Sequence, residues 1–182
     1  MEGTQLQIVC AAEKRIRSAG YHGFSFREVA SDVGIKSSSV HHYFPTKESL
    51  GVAVARRYTE QFFSSLGTSA EPPQVLLRRA FLRAINSDGL VCLCGTLAAG
   101  SDSLPGPVAA EAKRFFERGI DFLVTPTDRK SSNRRHSWAL QILALLEGAM
   151  VVSRALGDPG CFTKATEDLP LPPTAKRPAI PR

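Results

Sequence analysis

A chain of 182 residues with 43 % apolar content can bury a sizeable core, and it fits either one compact domain or a small head joined to a larger body. The net charge of +6 suits an anionic partner, although modest basicity is also common among proteins that never touch nucleic acid. No long apolar run precedes Glu13, Lys14, Arg15 and Arg17, and no later stretch approaches the roughly 20 apolar residues of a bilayer span, so no membrane partner and a cytoplasmic location are expected.

From Thr4, read as an N-cap, apolar residues recur at Ile8, Ala11, Ala12, Ile16 and Ala19 with the spacing of an amphipathic helix, which Gly20 ends. Tyr21, Phe24 and Phe26 then provide the aromatic core of a small head. Ser25 with Glu28 three residues on is a capping-box pattern, and Phe26, Val29, Ala30 and Val33 line one face of the helix it opens. Gly34 supplies the stop and the turn. The next helix, from about Ser37 to Phe44, is intrinsically weak because its serines compete for backbone hydrogen bonds. Packing through Ile35, Val40 and either Tyr43 or Phe44 must hold it, leaving Ser38, Ser39, His41 and His42 outward. Two short helices meeting at a glycine, the second presenting hydroxyls, imidazoles and a phenol, form the pattern of a DNA-reading helix-turn-helix. Pro45 ends the reader, and Thr46 caps a long helix to about Leu66 in which Leu50, Val54, Tyr58, Phe62 and Leu66 recur every four residues.

Beyond the loop Gly67 to Pro73 every ordered segment reads as helix: Gln74 to about Ser87, Leu90 to about Ala99, Pro107 to about Val124, Arg134 to about Leu156, and a short one around Pro159 to Asp168. Trp138 to Val152 is apolar nearly all round, which demands burial on two sides, the second being another subunit. Five prolines between Leu169 and Arg182 predict an extended or disordered tail. The expected fold is therefore all-α: a three-helix head over 1–47, a helical body over 48–168 whose first part, 48–66, is the connecting helix, and a tail over 169–182.

Several of these residues together resemble the TetR-type repressors, dimeric all-helical regulators that release DNA when a small ligand binds. The resemblance is carried by Ala11-Ala12, Gly20-Tyr21, Val29-Ala30, Val33-Gly34-Ile35 and above all His41-His42-Tyr43-Phe44-Pro45-Thr46-Lys47-Glu48-Ser49-Leu50. A weaker echo, Cys92-Leu93-Cys94-Gly95-Thr96-Leu97-Ala98-Ala99 followed by Leu104-Pro105, and the stretch from Leu146-Glu147-Gly148-Ala149 to Phe162 extend it into the body. The chain departs from the common pattern at His41, where many members carry tyrosine, at Ser38, where glycine is common, and at Gly100, where that branch often has an acidic residue. The resemblance implies that Arg27, Lys36, Ser37, Ser38, Ser39, His41, His42, Tyr43 and Lys47 meet double-stranded operator DNA, Lys47 and the amides beside it holding phosphate. It also implies a homodimer reading a near-palindromic operator and a small-molecule effector bound in the body.

The four cysteines, Cys10, Cys92, Cys94 and Cys161, are too scattered for a disulfide framework and are expected as reduced thiols. Cys92 and Cys94 diverge by about 200° on a helix and read first as small core residues. A thiol that senses electrophiles or oxidants is the alternative, and it needs a neighbouring cation that the local sequence lacks. Phe81, Leu97, Phe115, Phe116, Phe122 and Trp138 are apolar enough to line a pocket between helices. The candidate ligand residues are Cys92, Cys94, Phe115 and Trp138; the candidate dimer residues are Trp138, Ile142, Leu145 and Val152. Neither a metal nor a cofactor is expected, since His41 and His42 are helix neighbours that point apart. Enzymatic use of Cys92 or Cys94 needs a base, yet three of the four histidines, His22, His41 and His42, lie in or beside the head, leaving His136. The cluster Arg129-Lys130 with Arg134-Arg135 reads as a solvated loop around a helix start. A ligand-independent DNA-binding protein with a purely structural body is the remaining alternative.

Overall fold

Glycine and proline stops divide the chain into helical segments throughout, and the computed structural model, which describes residues 3–89, 91–100, 103–124 and 132–173, contains no strand among them. The head comprises α1 (Gly3–Ala19), a 3-10 turn (Tyr21–Gly23), α2 (Phe26–Val33), α3 (Ser37–Tyr43) and the first turns of α4 (Lys47–Ser64). The body continues with α5 (Pro73–Asp88), α6 (Leu93–Ala99), α7 (Gly106–Leu123), α8 (Ser132–Leu156) and α9 (Gly160–Ala165). Leu90, the Arg129-Lys130 pair and the tail from 174 onward lie outside the described residues.

Helix ends follow local chemistry. α1 starts at Gly3, so Thr4 sits inside its first turn instead of capping it. α5 opens on Pro73, whose missing N–H is one of the donors that a helix start leaves unpaired anyway. Cys92 is the N-cap of α6, its sulfur accepting from the Gly95 amide at 3.5 Å, so this helix begins three residues later than the periodicity suggests. α9 is shorter than expected because Thr166 closes it, its hydroxyl donating to the Phe162 carbonyl at 2.7 Å.

One core runs through head and body. Ile8, Val9, Ala12 and Ile16 of α1 are fully buried against Val29, Val40, Leu50 and Val54, and the same cluster continues through Phe62, Phe81 and Phe115 to Ile142 and Leu146 of α8. A side chain at Gly51 of α4 would meet the Tyr21 ring at 2.8 Å and Val108 at 3.1 Å, so this glycine is what lets the head and α7 close on the connecting helix. Polar ties cross the same junction. Arg17 donates to the Val91 carbonyl at 2.8 Å, His22 lies 3.1 Å from the Ser103 carbonyl, and Arg56 pairs with the buried Glu111 at 2.7 Å.

The expectation about apolar length needs one amendment: α8, over Asn133–Leu156, has the length and composition of a membrane span. In this fold its inner face packs against α5, α7 and α9, which accounts for Ala139, Ile142, Leu146 and Met150. Leu140, Val151, Val152 and Leu156 on its other faces remain 47–66 % exposed.

Candidate functional site

The turn between α2 and α3 is built from Gly34, whose backbone is left-handed (φ 73°, ψ 32°) and whose amide closes α2 on the Ala30 and Ser31 carbonyls. Only glycine takes this conformation without a steric penalty from its own Cβ. The Ile35 amide then donates to the Ala30 carbonyl at 3.0 Å, locking the entry to α3. At the other end of α2 the Ser25 hydroxyl accepts from the Glu28 amide at 3.3 Å and donates to the Glu28 carboxylate at 2.8 Å. Arg15 of α1 pairs with both Glu28 and Asp32, so α2 is held along its length. The Ser25 hydroxyl, with Arg15 beyond it, holds the Glu28 carboxyl below the usual carboxylate range, and Arg15 does the same for Asp32.

α3 is anchored by two side chains. Val40 is fully buried and Phe44, just past the helix end, is nearly so, which decides the Tyr43-or-Phe44 choice in favour of Phe44 and leaves Tyr43 39 % exposed. Arg27, Lys36, Ser38, His41, His42 and Tyr43 are exposed, while Ser37 and Ser39 are half-buried. The His41 ring packs edge-on against Phe26 with centroids 4.6 Å apart, and His42 packs against Tyr43 at 5.3 Å. These contacts orient two imidazoles and a phenol on one short helix without burying them.

α4 begins with a reciprocal cap: the Thr46 hydroxyl accepts from the Ser49 amide at 3.0 Å and the Ser49 hydroxyl accepts from the Thr46 amide at 3.2 Å. Helix geometry leaves the Lys47 and Glu48 amides without an intrahelical partner, so two N–H donors stand unpaired at this end. The Lys47 side chain does something the sequence did not suggest. Its ammonium donates to the Phe24 carbonyl at 2.6 Å and lies 4.4 Å from the Phe24 ring centroid and 5.0 Å from that of Tyr21. Burial lowers its pKa from the ordinary lysine value, with Glu28 opposing. In this arrangement Lys47 braces the head, its ammonium engaged by the Phe24 carbonyl and the two rings.

Residues 8–54 match the family model of the bacterial regulatory proteins of the tetR family. A TetR transcriptional regulator from Legionella pneumophila is 31 % identical, with 91 % of this chain and 94 % of that one covered at a TM-score of 0.79. The chain belongs to the TetR family. A TetR-family regulator from Agrobacterium tumefaciens is 26 % identical over 90 % of this chain and 93 % of that one, also at a TM-score of 0.79. A regulatory protein TetR from Rhodobacter sphaeroides, at 18 % identity, a TM-score of 0.76 and coverage of 89 % and 94 %, shares the fold. No curated protein matches the chain in sequence. As a TetR-family member it is a DNA-binding transcriptional regulator with an N-terminal helix-turn-helix and a helical C-terminal body.

In the body of this TetR-family chain the candidate ligand residues separate. Phe115 is 1 % exposed and packs between Tyr58, Phe62, Phe63 and Phe116, with ring centroids 5.1–5.8 Å away, which makes it part of the shared core. Trp138 is also inside: its indole N–H donates to the Pro170 carbonyl at 2.8 Å, so the start of the proline-rich tail lies over it. Ile142 is fully buried within the protomer, and Leu145 is half-buried. Trp138 and Ile142 therefore face the protomer's own core, and of the four candidate dimer residues Val152 is the one left exposed.

Cys92 and Cys94 are buried at the start of α6. Burial pushes both thiols above their ordinary range, and the Glu147 carboxyl beside them adds to the shift. Both are held protonated, the opposite of what a reactive thiol needs. Cys92 does border a cavity of about 480 Å3 between the start of α6 and the C-terminal half of α8, with Val91, Gly95, Thr96, Glu147 and Val151 among its other walls. Burial raises the Glu147 carboxyl to about 7, opposed by hydrogen bonding with Cys92. Glu147 has one signal in the sequence, a lone acid inside the apolar run from Trp138 to Val152.

Proposed function

We propose that this regulator is an effector-responsive repressor that binds a near-palindromic operator as a homodimer, reading bases and phosphates with α3 and the start of α4. The observation that carries the reading is the division of α3: Val40 and Phe44 hold it to the head while Ser38, His41, His42 and Tyr43 stay exposed. Hydroxyls, imidazoles and a phenol at this position donate to phosphate oxygens and reach base edges, and the free amides of Lys47 and Glu48 add an anion site at the adjoining helix start. Pairing through α8 and α9 is supported by the exposed apolar side chains Leu140, Val152 and Leu156. Two heads related by a twofold axis then address half-sites whose centres are roughly 34–36 Å apart or a multiple of that turn.

Effector response is supported by the polar ties between head and body. Arg17 to Val91 and His22 to Ser103 connect the head to the two ends of α6 and its loop. A ligand that moves α6 changes the angle of the head, and a differential affinity of about 1–3 kcal/mol between the two states shifts DNA affinity 5- to 150-fold. The test is a mobility-shift titration on DNA from upstream of the protein's own gene, at several salt concentrations. A retarded band that weakens with salt and with an added small molecule is the expected result; salt-sensitive binding that no effector alters favours a ligand-independent DNA-binding protein.

A further inference from the structure

The cavity beside Cys92 has a composition that selects its occupant. Among the described residues that line it, Val91, Ala99, Val151 and Ala155 are apolar, Glu147 is the only carboxylate and Arg154 the only cation. The Glu147 Oε1 atom is closed off from solvent and has no hydrogen-bond partner among the described residues. Its other oxygen lies over Gly95, where even a methyl group would come within 2.5 Å of it. The neighbouring titratable groups on α6 are the buried thiols of Cys92 and Cys94, which supply no positive charge, and Arg154, two turns further along α8, is exposed. A carboxylate with one oxygen left without a donor in a largely apolar recess is costly, and a ligand that brings a charged donor removes that cost.

We propose that this cavity binds an apolar small molecule carrying one protonated amine, the ammonium resting on Glu147 and the apolar portion along α6 and α8. A volume of about 480 Å3 suits a body of one ring with a short chain. A carboxylate ligand sets two acids against each other, and an alcohol offers a donor without the charge. The wall is also connected to the DNA head, since Val91 borders the cavity and its carbonyl accepts from Arg17 of α1. The assignment deepens the effector-responsive reading above and rests on it for its biological role.

Calorimetric titration of the full-length protein with 4-phenylbutylamine, 4-phenylbutanol and 4-phenylbutanoate tests it. The amine is expected to bind at least about tenfold more tightly than either analogue, a difference of about 1.4 kcal/mol. Glu147→Gln should weaken the amine by tenfold or more while leaving the alcohol unchanged. Ala99→Trp, which fills the α6 edge of the cavity with Glu147 intact, should abolish amine binding with the helical circular dichroism retained. Tightest binding by the carboxylate, undiminished amine binding in Glu147→Gln, or no binding by any of the three overturns the proposal. A parallel mobility shift separates the two readings. An amine that binds without changing operator affinity upholds the site and ends its effector role; DNA release by another molecule, with no amine bound, upholds effector response and overturns this site.

Discussion

Single residues in this protein carry loads of different kinds, and each answers to a different measurement. Gly34 holds a left-handed turn that a Cβ disfavours by about 1–2 kcal/mol, so Gly34→Ala should lower thermal stability by that order without altering the outward face of α3. His42 and Tyr43 have the opposite profile: exposed and weakly packed, they should be removable by alanine with little change in melting temperature but a loss of about 1–3 kcal/mol in operator affinity by mobility shift. Glu147 links stability to pH. Its carboxyl titrates near 7 in the folded chain and near 4.5 unfolded, so the folded state holds the extra proton between those values and stability falls as pH rises through that window. Glu147→Gln should therefore melt much like the natural protein at pH 4.5 and be more stable by about 1–3 kcal/mol at pH 8. A gap that shrank with rising pH would contradict the burial of this group.

At the scale of elements, α3 is the instructive case. Seven residues with three serines have little intrinsic helicity, and the segment is helical because Val40 and Phe44 are buried and α2 is held rigid behind it. The rigidity of α2 depends on Arg15, which bridges Glu28 and Asp32 from α1. Both carboxyls are depressed in the folded state, so their contribution is present above their unfolded values near pH 4 and is lost as pH falls through the folded ones. Arg15→Met should lower the melting temperature by a few degrees at pH 7, and its difference from the natural protein should close in acid. These side chains are solvent-exposed, which limits the size of the effect.

For the whole molecule the decisive feature is a core shared by head and body, with α8 apolar on more faces than one protomer covers. Val152 is 52 % exposed, and Val152→Glu on both protomers of a dimer sets charges into the apolar face of α8. Sedimentation of that variant should give monomers that bind the operator poorly; a variant that still sediments as a dimer would exclude this face from the interface. The same shared core gives the body a route to the head. Arg17→Met removes the donor to the Val91 carbonyl and should blunt any effect of an effector on DNA binding more than it weakens DNA binding itself.

Local chemistry made much of the head legible in advance. Gly34, the Ser25 cap, Pro45 and Thr46 act within a few residues of themselves, and the apolar spacing of α2 and α4 is a property of the helix alone. The all-helical fold and the outward face of α3 follow from that same local periodicity. Lys47, Glu147 and Trp138 were not legible, because each is defined by a partner far away in sequence or by space. Lys47 turns inward to a carbonyl 23 residues earlier, and Trp138 is capped by one 32 residues later. Glu147 acquires its raised pKa from burial between two helices, against the hydrogen bond with Cys92. Periodicity tells which face of a helix is apolar; it carries no record of which groups the folded chain brings against that face, and those groups set the charge and the space that a site requires.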